Sequence, residues 1–250
     1  MAKPEPTGRV KSVLALVVCA ACASARPRAV IVISANAEWQ AVTKHVAMQI
    51  EHSPYGDFAV PTLGGEPVVI FHGGYGKVSA AGSAQYAIDR WHPRVLINLG
   101  TAGGFTSDVH VGDVVLVTKT TIYDIYEAMG DAAETIADYA TTIDTTRWPA
   151  RLANRVHRGP IVSGDRDLIP AEVAKLHATY QASVGDWESG AIAFVARKNH
   201  VPLFILRAIT DVLDADHPSP TTGDLAAWQR ETEVVMQTLL ALIADALPEL

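Results

Sequence analysis

The stretch Val201-Pro202-Leu203-Phe204-Ile205-Leu206-Arg207-Ala208-Ile209-Thr210-Asp211 constrains this chain most. Its apolar run does not alternate with polar residues, which is the pattern of a strand buried on both faces. Upstream, a helical run to Asn199 carries Ile192, Phe194 and Val195 on an apolar face, and the acidic pair of Asp186-Trp187-Glu188 stands just before it. Arg207 and Asp211 lie at the exit of the strand, where charged groups persist only when paired or used. A strand, crossover helix and parallel strand would bring Glu188 and Asp211 to one crevice at the carboxyl ends, where open α/β sheets bind ligands. Read by spacing alone, the same two carboxylates serve equally well as caps of the helix and of the next turn.

Other segments repeat the theme. Ala29 to Ser34 reads as a buried first strand, followed by a helix to about Met48 with Asn36 as its N-cap and Glu38 near its positive end. Val68 to Phe71 leads into the glycine-rich turn His72-Gly73-Gly74-Tyr75-Gly76-Lys77, ahead of a helix from Ser79 to Trp91. No Ser or Thr follows Lys77, so the turn is not a P-loop, and its glycine spacing is not a dinucleotide fingerprint. Val95 to Gly100 reads as another buried strand, ending in a second glycine-rich turn, Thr101-Ala102-Gly103-Gly104. Two such turns side by side would line a crevice with main-chain N–H and C=O groups, suited to a small polar ligand. Tyr123 to Tyr126 offers a pocket wall or a subunit contact. A Pro-rich loop from Asp214 to Gly223 is a candidate lid. The final helix, from about Asp224, has Leu225, Trp228, Val235, Leu239, Leu242 and Ile243 on its apolar side.

Composition narrows the function. With 49% hydrophobic and 19% charged residues, the chain is an ordinary globular protein, and its net charge of −7 offers no general attraction to nucleic acid. His45, His92 and His200 lack the spacing of a metal site. Residues 1–25 combine Lys3, Arg9 and Lys11 with a short apolar core and small residues, the pattern of a secretory signal peptide. That reading leaves 26–250 as a single domain, periplasmic or secreted, with no stable membrane association. If instead the leader does not belong to the protein, the domain is cytoplasmic. Both cysteines, Cys19 and Cys22, lie in the leader, and removing it lowers the net charge from −7 to −9.

Taken in order, SANAEW, GGYGKVSAA, INLGTAGG, VGDVVLV, GPIVSGD, DWESGAIA and VPLFILRAITDV resemble the purine nucleoside phosphorylase and nucleosidase superfamily. The nearest branch is the methylthioadenosine/S-adenosylhomocysteine nucleosidases, and the match runs over roughly residues 29–246. The resemblance implies an α/β fold, a three-layer α/β/α sandwich around a central mixed β-sheet, assembled as a homodimer or higher oligomer. It also implies cleavage of a ribosidic C–N bond without a metal or organic cofactor. In the matching positions, Asp211 protonates the purine at N7, Glu188 holds the ribose hydroxyls and Arg207 stands beside the attacking water or phosphate. Trp187 occupies the place of a Met that packs on the sugar, and Asp167 that of an aromatic that stacks on adenine. Asp186, Gly74, Thr101, Ala102, Gly103 and Leu168 complete the expected binding site. The water-activating acid is assigned to Glu38, although an ungapped comparison puts Trp39 there. Trp39, Tyr75 and Phe105 are the candidates for a replacement aromatic face.

The physical chemistry is consistent with those roles. A purine anion leaves poorly, so an acid must donate or share a proton as the bond lengthens. The sugar develops positive charge, which a carboxylate on its hydroxyls orients and stabilises. Family phosphorylases hold phosphate with an Arg in the loop after the first strand, whereas here Ser34-Ala35-Asn36-Ala37-Glu38 has none and carries an acid. Water is therefore the expected nucleophile. Phosphorolysis is the alternative, and a nucleoside-binding protein that has lost its chemistry is a further one.

Overall fold

In the computed structural model, the described residues are 27–105, 109–213 and 224–250. The candidate leader at 1–25 and the candidate lid at 214–223 lie outside them. The chain runs β1 (Ala29–Ile33), α1 (Asn36–His45), β2 (Glu51–Ser53), β3 (Gly56–Ala59), β4 (Thr62–Leu63), β5 (Glu66–His72), α2 (Gly76–Trp91) and β6 (Val95–Gly104). It continues through β7 (Val114–Ile122), α3 (Ala132–Tyr139), β8 (Thr141–Thr142), β9 (His157–Ser163), α4 (Pro170–Tyr180), β10 (Val184–Asp186), α5 (Ser189–Lys198), β11 (Leu203–Val212) and α6 (Leu225–Ala246).

The result is a mixed α/β fold with a central mixed sheet in the order β10-β9-β7-β11-β6-β1-β5-β3-β2. β10 also pairs with β6, so β6, β11, β7, β9 and β10 close into a ring from which β1, β5, β3 and β2 extend. The absence of alternation in β1 and β11 has the expected cause. Ile31, Ile33, Phe204 and Leu206 pack with Val235, Leu239 and Ile243 of α6, while Val30, Val32, Leu203 and Ile205 pack with Ala80, Ala84 and Ile88 of α2 and Ile192 of α5. Each such buried aliphatic side chain contributes about 1.5–3 kcal/mol. Small residues on α2 and α5 (Ala80, Ala84, Ala191, Ala193) let these helices sit close to the sheet.

Three expectations are corrected. β10 is antiparallel to β6 while β11 is parallel to it, so the strands either side of α5 run in opposite senses rather than as a parallel crossover unit. Thr101-Ala102-Gly103-Gly104 is not a turn but the end of β6, paired with β11 on one side and with β10 on the other. The two glycines leave room for neighbouring side chains at this strand end. A Cβ on Gly103 would lie 2.8 Å from Leu213 Cδ1 and one on Gly104 2.8 Å from Val109 Cγ2. Finally, Asn36 is inside α1; the N-cap is Ala35, whose N–H donates to Glu38 Oε2 at 3.0 Å. The carboxylate supplies the Glu half of a capping box, satisfying the N-cap N–H, while the alanine has no side-chain oxygen to accept from the first turn in return.

Candidate active site

The ends of β1, β6, β10 and β11 surround a cavity of about 530 Å³, within the range of small-molecule sites. Glu38, Thr101, Ala102, Gly103, Leu168, Asp186, Trp187, Glu188 and Asp211 all line it. Gly74 and Arg207 do not. Tyr75 and Asp167 line it as well, whereas Trp39 is buried in the core with its ring stacked on His72 at 5.3 Å, and Phe105 is buried under α4 residues.

Each acid is held differently. Glu38, buried at the start of α1, accepts from Thr101 N–H at 2.6 Å and Thr101 Oγ1 at 2.9 Å through Oε1, so one carboxylate joins β1's exit to β6. Glu188 accepts from Gly76 N–H at 3.0 Å, which ties it to the first turn of α2, a helix that begins at Gly76 rather than at Ser79. Burial, with Asp186 adding to it and Arg207 opposing, pushes the Glu188 carboxyl up to about 8. Asp211 follows a register shift in the β6–β11 pairing between Ile209 and Asp211, a bulge that re-aims the strand at its end. Burial raises the Asp211 carboxyl above its ordinary value, Thr210 partly opposes this and Asp167 adds to it. A raised carboxyl is the form that can donate a proton.

Arg207 lies beneath this surface, fully buried. Its Nε and Nη2 each stand 2.7 Å from Asp186 Oδ2, Nη2 donates to Asn98 Oδ1 at 2.7 Å, and Glu188 Oε2 is 4.0 Å away. Nη1 has no hydrogen-bond partner. A Cβ on Gly100 would fall 1.9 Å from Nη1 and 2.8 Å from Glu38 Oε1, so this glycine opens the place where the guanidinium faces Glu38. Asp186 is correspondingly committed: it also accepts from Ser163 Oγ at 2.6 Å and from the N–H and hydroxyl of Ser189. Its carboxylate organises the start of α5, immediately after Glu188.

Sequence reasoning missed several members. Asn98 interrupts an otherwise apolar strand, and that lone polar residue was the available signal for a partner to Arg207. Leu225 and Trp228, which the helical pattern places on the apolar side of the last helix, line the cavity. Tyr75 packs edge-on to Trp187 with ring centroids 5.1 Å apart, so the wall beside Glu188 is aromatic. Among the described residues no group of His, Cys, Asp or Glu could hold a metal ion, and no helix is long and apolar enough to cross a membrane.

A mixed sheet whose strand ends gather three acids over a buried arginine defines a class, and comparison with known proteins gives the same one. The chain belongs to the phosphorylase superfamily, whose family model matches residues 27–247. It is 28% identical over 211 residues to the 5′-methylthioadenosine/S-adenosylhomocysteine nucleosidase of Maridesulfovibrio salexigens, covering 78% of this chain and 88% of that one. The crystal structure of the corresponding Neisseria meningitidis nucleosidase with methylthio-immucillin-A is similar at a TM-score of 0.70 and 25% identity, over 87% of this chain and 97% of that chain. The Helicobacter pylori nucleosidase shares the fold at a TM-score of 0.72 and 18% identity, over 87% and 98% of the two chains.

Proposed function

We propose that this protein hydrolyses the N-glycosidic bond of a purine nucleoside of the methylthioadenosine/S-adenosylhomocysteine type, releasing free base and the pentose moiety. The observation that carries the reading is that Glu38, Glu188 and Asp211 line one cavity. In this reading Asp211 gives its proton to purine N7 as the bond to the anomeric carbon breaks. Glu188 accepts hydrogen bonds from the ribose hydroxyls, and Trp187 packs on the sugar. Water attacks the anomeric carbon and its proton passes to Glu38. Arg207 acts from below, its charge holding Asp186 and steadying Glu188. The two packed clusters on opposite faces of the sheet support a three-layer arrangement.

Hydrolysis is favoured over phosphorolysis by charge. Among the described residues that line the cavity there is no lysine or arginine, and five are Asp or Glu besides the capping Asp224. A phosphate dianion there would meet repulsion worth about 1 kcal/mol or more from each of these groups that is ionised, at contact distance. Purified protein should release adenine from methylthioadenosine equally well with and without phosphate, as measured by chromatography of the free base. Release that requires phosphate would make it a phosphorylase. Binding without release under either condition would make it a nucleoside-binding protein.

The Glu188 shift adds a pH test. If the ionised carboxylate is the form that accepts from the sugar, only that fraction of the enzyme binds well. KM is then expected to fall roughly ten-fold per pH unit as pH rises toward the Glu188 value of about 8, and to level off above it. A KM that stays flat between pH 6 and 8, by the ~10-fold-per-unit standard, would remove the ionised clamp from the reading.

A further inference from the structure

The first turn of α2, which follows the glycine-rich stretch at 72–76, carries a lysine, Lys77, that the chemistry above leaves unused. Lys77 does not line the cavity. Its Nζ donates to Asp124 Oδ1 and stands 3.8 Å from Asp165 Oδ2. Its backbone N–H donates to Asp165 Oδ1 at 2.7 Å, and the Asp165 N–H donates in turn to Asp124 Oδ2 at 2.9 Å. These contacts join three segments: the start of α2, the residues after β7 and the residues after β9. The Lys77 and Asp124 side chains are only 22% and 14% exposed, so solvent screens this pair less than an ordinary surface one.

The junction is tight. Gly76 has φ +77°, and a Cβ there would lie 3.0 Å from Asp165 Oδ1. From the junction two short routes lead to the cavity. The Gly76 N–H donates to Glu188, and Asp167 and Leu168, just past Asp165, form part of the lining. Asp211, by contrast, is carried by β11, outside the three joined segments.

We infer that Lys77 is a positioning residue: its ammonium draws Asp124 and Asp165 together and so holds the Gly76 N–H on Glu188 and the 165–168 loop against the cavity. For its kinetic readout the inference rests on the nucleosidase reading. Because the clasp touches the clamp and not the acid, its loss affects binding more than chemistry. Lys77→Met is expected to raise KM for methylthioadenosine about ten-fold, equivalent to about 1.4 kcal/mol, while kcat stays within about three-fold. Lys77→Arg keeps the charge and should recover most of the affinity. Asp165→Asn, which keeps the side-chain oxygen but not the charge, should show the same split to a smaller degree and carries the test if Lys77→Met does not fold. Amide hydrogen exchange, which needs no turnover, should rise at residues 76–78 and 165–168 and stay unchanged in β1 and β6. An unchanged KM in Lys77→Met, or equal losses in kcat and KM that Lys77→Arg does not recover, would overturn the positioning role. Wild-type protein that releases no base refutes the nucleosidase reading instead, and the exchange pattern alone then decides for or against the clasp.

Discussion

Asp211→Asn is expected to slow release of the free base by about 10²–10⁴-fold, the range that a general acid supplies. The asparagine amide can still donate a hydrogen bond to a purine nitrogen, but it has no proton to give up as the C–N bond breaks. Nucleoside affinity should therefore survive while kcat falls, a pattern that assigns the loss to the transition state. The pH profile makes the same point. Burial raises the Asp211 carboxyl, so its protonated form persists further up the pH scale than that of an exposed aspartate. The wild-type kcat should hold at low pH and decline as pH rises through that raised value, because the proton to be donated is then gone. In Asp211→Asn this alkaline decline should vanish along with most of the rate. Single-turnover measurements of base release across the pH range would test both statements, and undiminished turnover in the variant would take Asp211 out of the mechanism.

Much of this geometry was legible in the sequence, and the gaps have identifiable causes. The largely apolar, non-alternating runs of β1, β6 and β11 announce strands buried on both faces, and the acids near their ends mark the side of the sheet that carries the cavity. Sequence spacing brought Glu188 and Asp211 to one crevice, and both line it, although by a different route from the parallel crossover first expected. β10 is only three residues long, too short for periodicity to register, yet it closes the ring. Gly103 and Gly104 look like turn residues because glycine usually is one; here they sit in a strand end where the side chains of Leu213 and Val109 pack close. The bulge before Asp211 leaves no mark in the composition of β11, and it breaks the simple alternation that would otherwise assign faces. Asp186 and Arg207 were both read as parts of the binding site, since a charged residue on a buried strand can be either used or paired. Only the distances distinguish the two: the Asp186 carboxylate is taken up by Arg207 and two serines, and the guanidinium stays below the floor.

That buried pair predicts the largest loss of stability. Arg207→Met removes the guanidinium but leaves Asp186 buried with a charge whose main partner is gone, a change that typically costs about 3–5 kcal/mol. For a domain of this size the melting temperature should drop by roughly 2–4 °C per kcal/mol, or about 6–20 °C in all. Arg207→Lys should recover little of this, because a single ammonium cannot reach both Asp186 and Asn98 as Nε and Nη2 do. The double variant Arg207→Met with Asp186→Asn should be more stable than Arg207→Met alone, since it removes the stranded charge; the difference measures how far the cost is electrostatic rather than lost packing. Activity should fall in both, because Asp186 also holds the first turn of α5, and Glu188 is the residue immediately before that turn. Thermal melts of Arg207→Met, Arg207→Lys and the double variant decide the matter. If Arg207→Met melts with the wild type, the guanidinium is not what balances the buried Asp186 carboxylate.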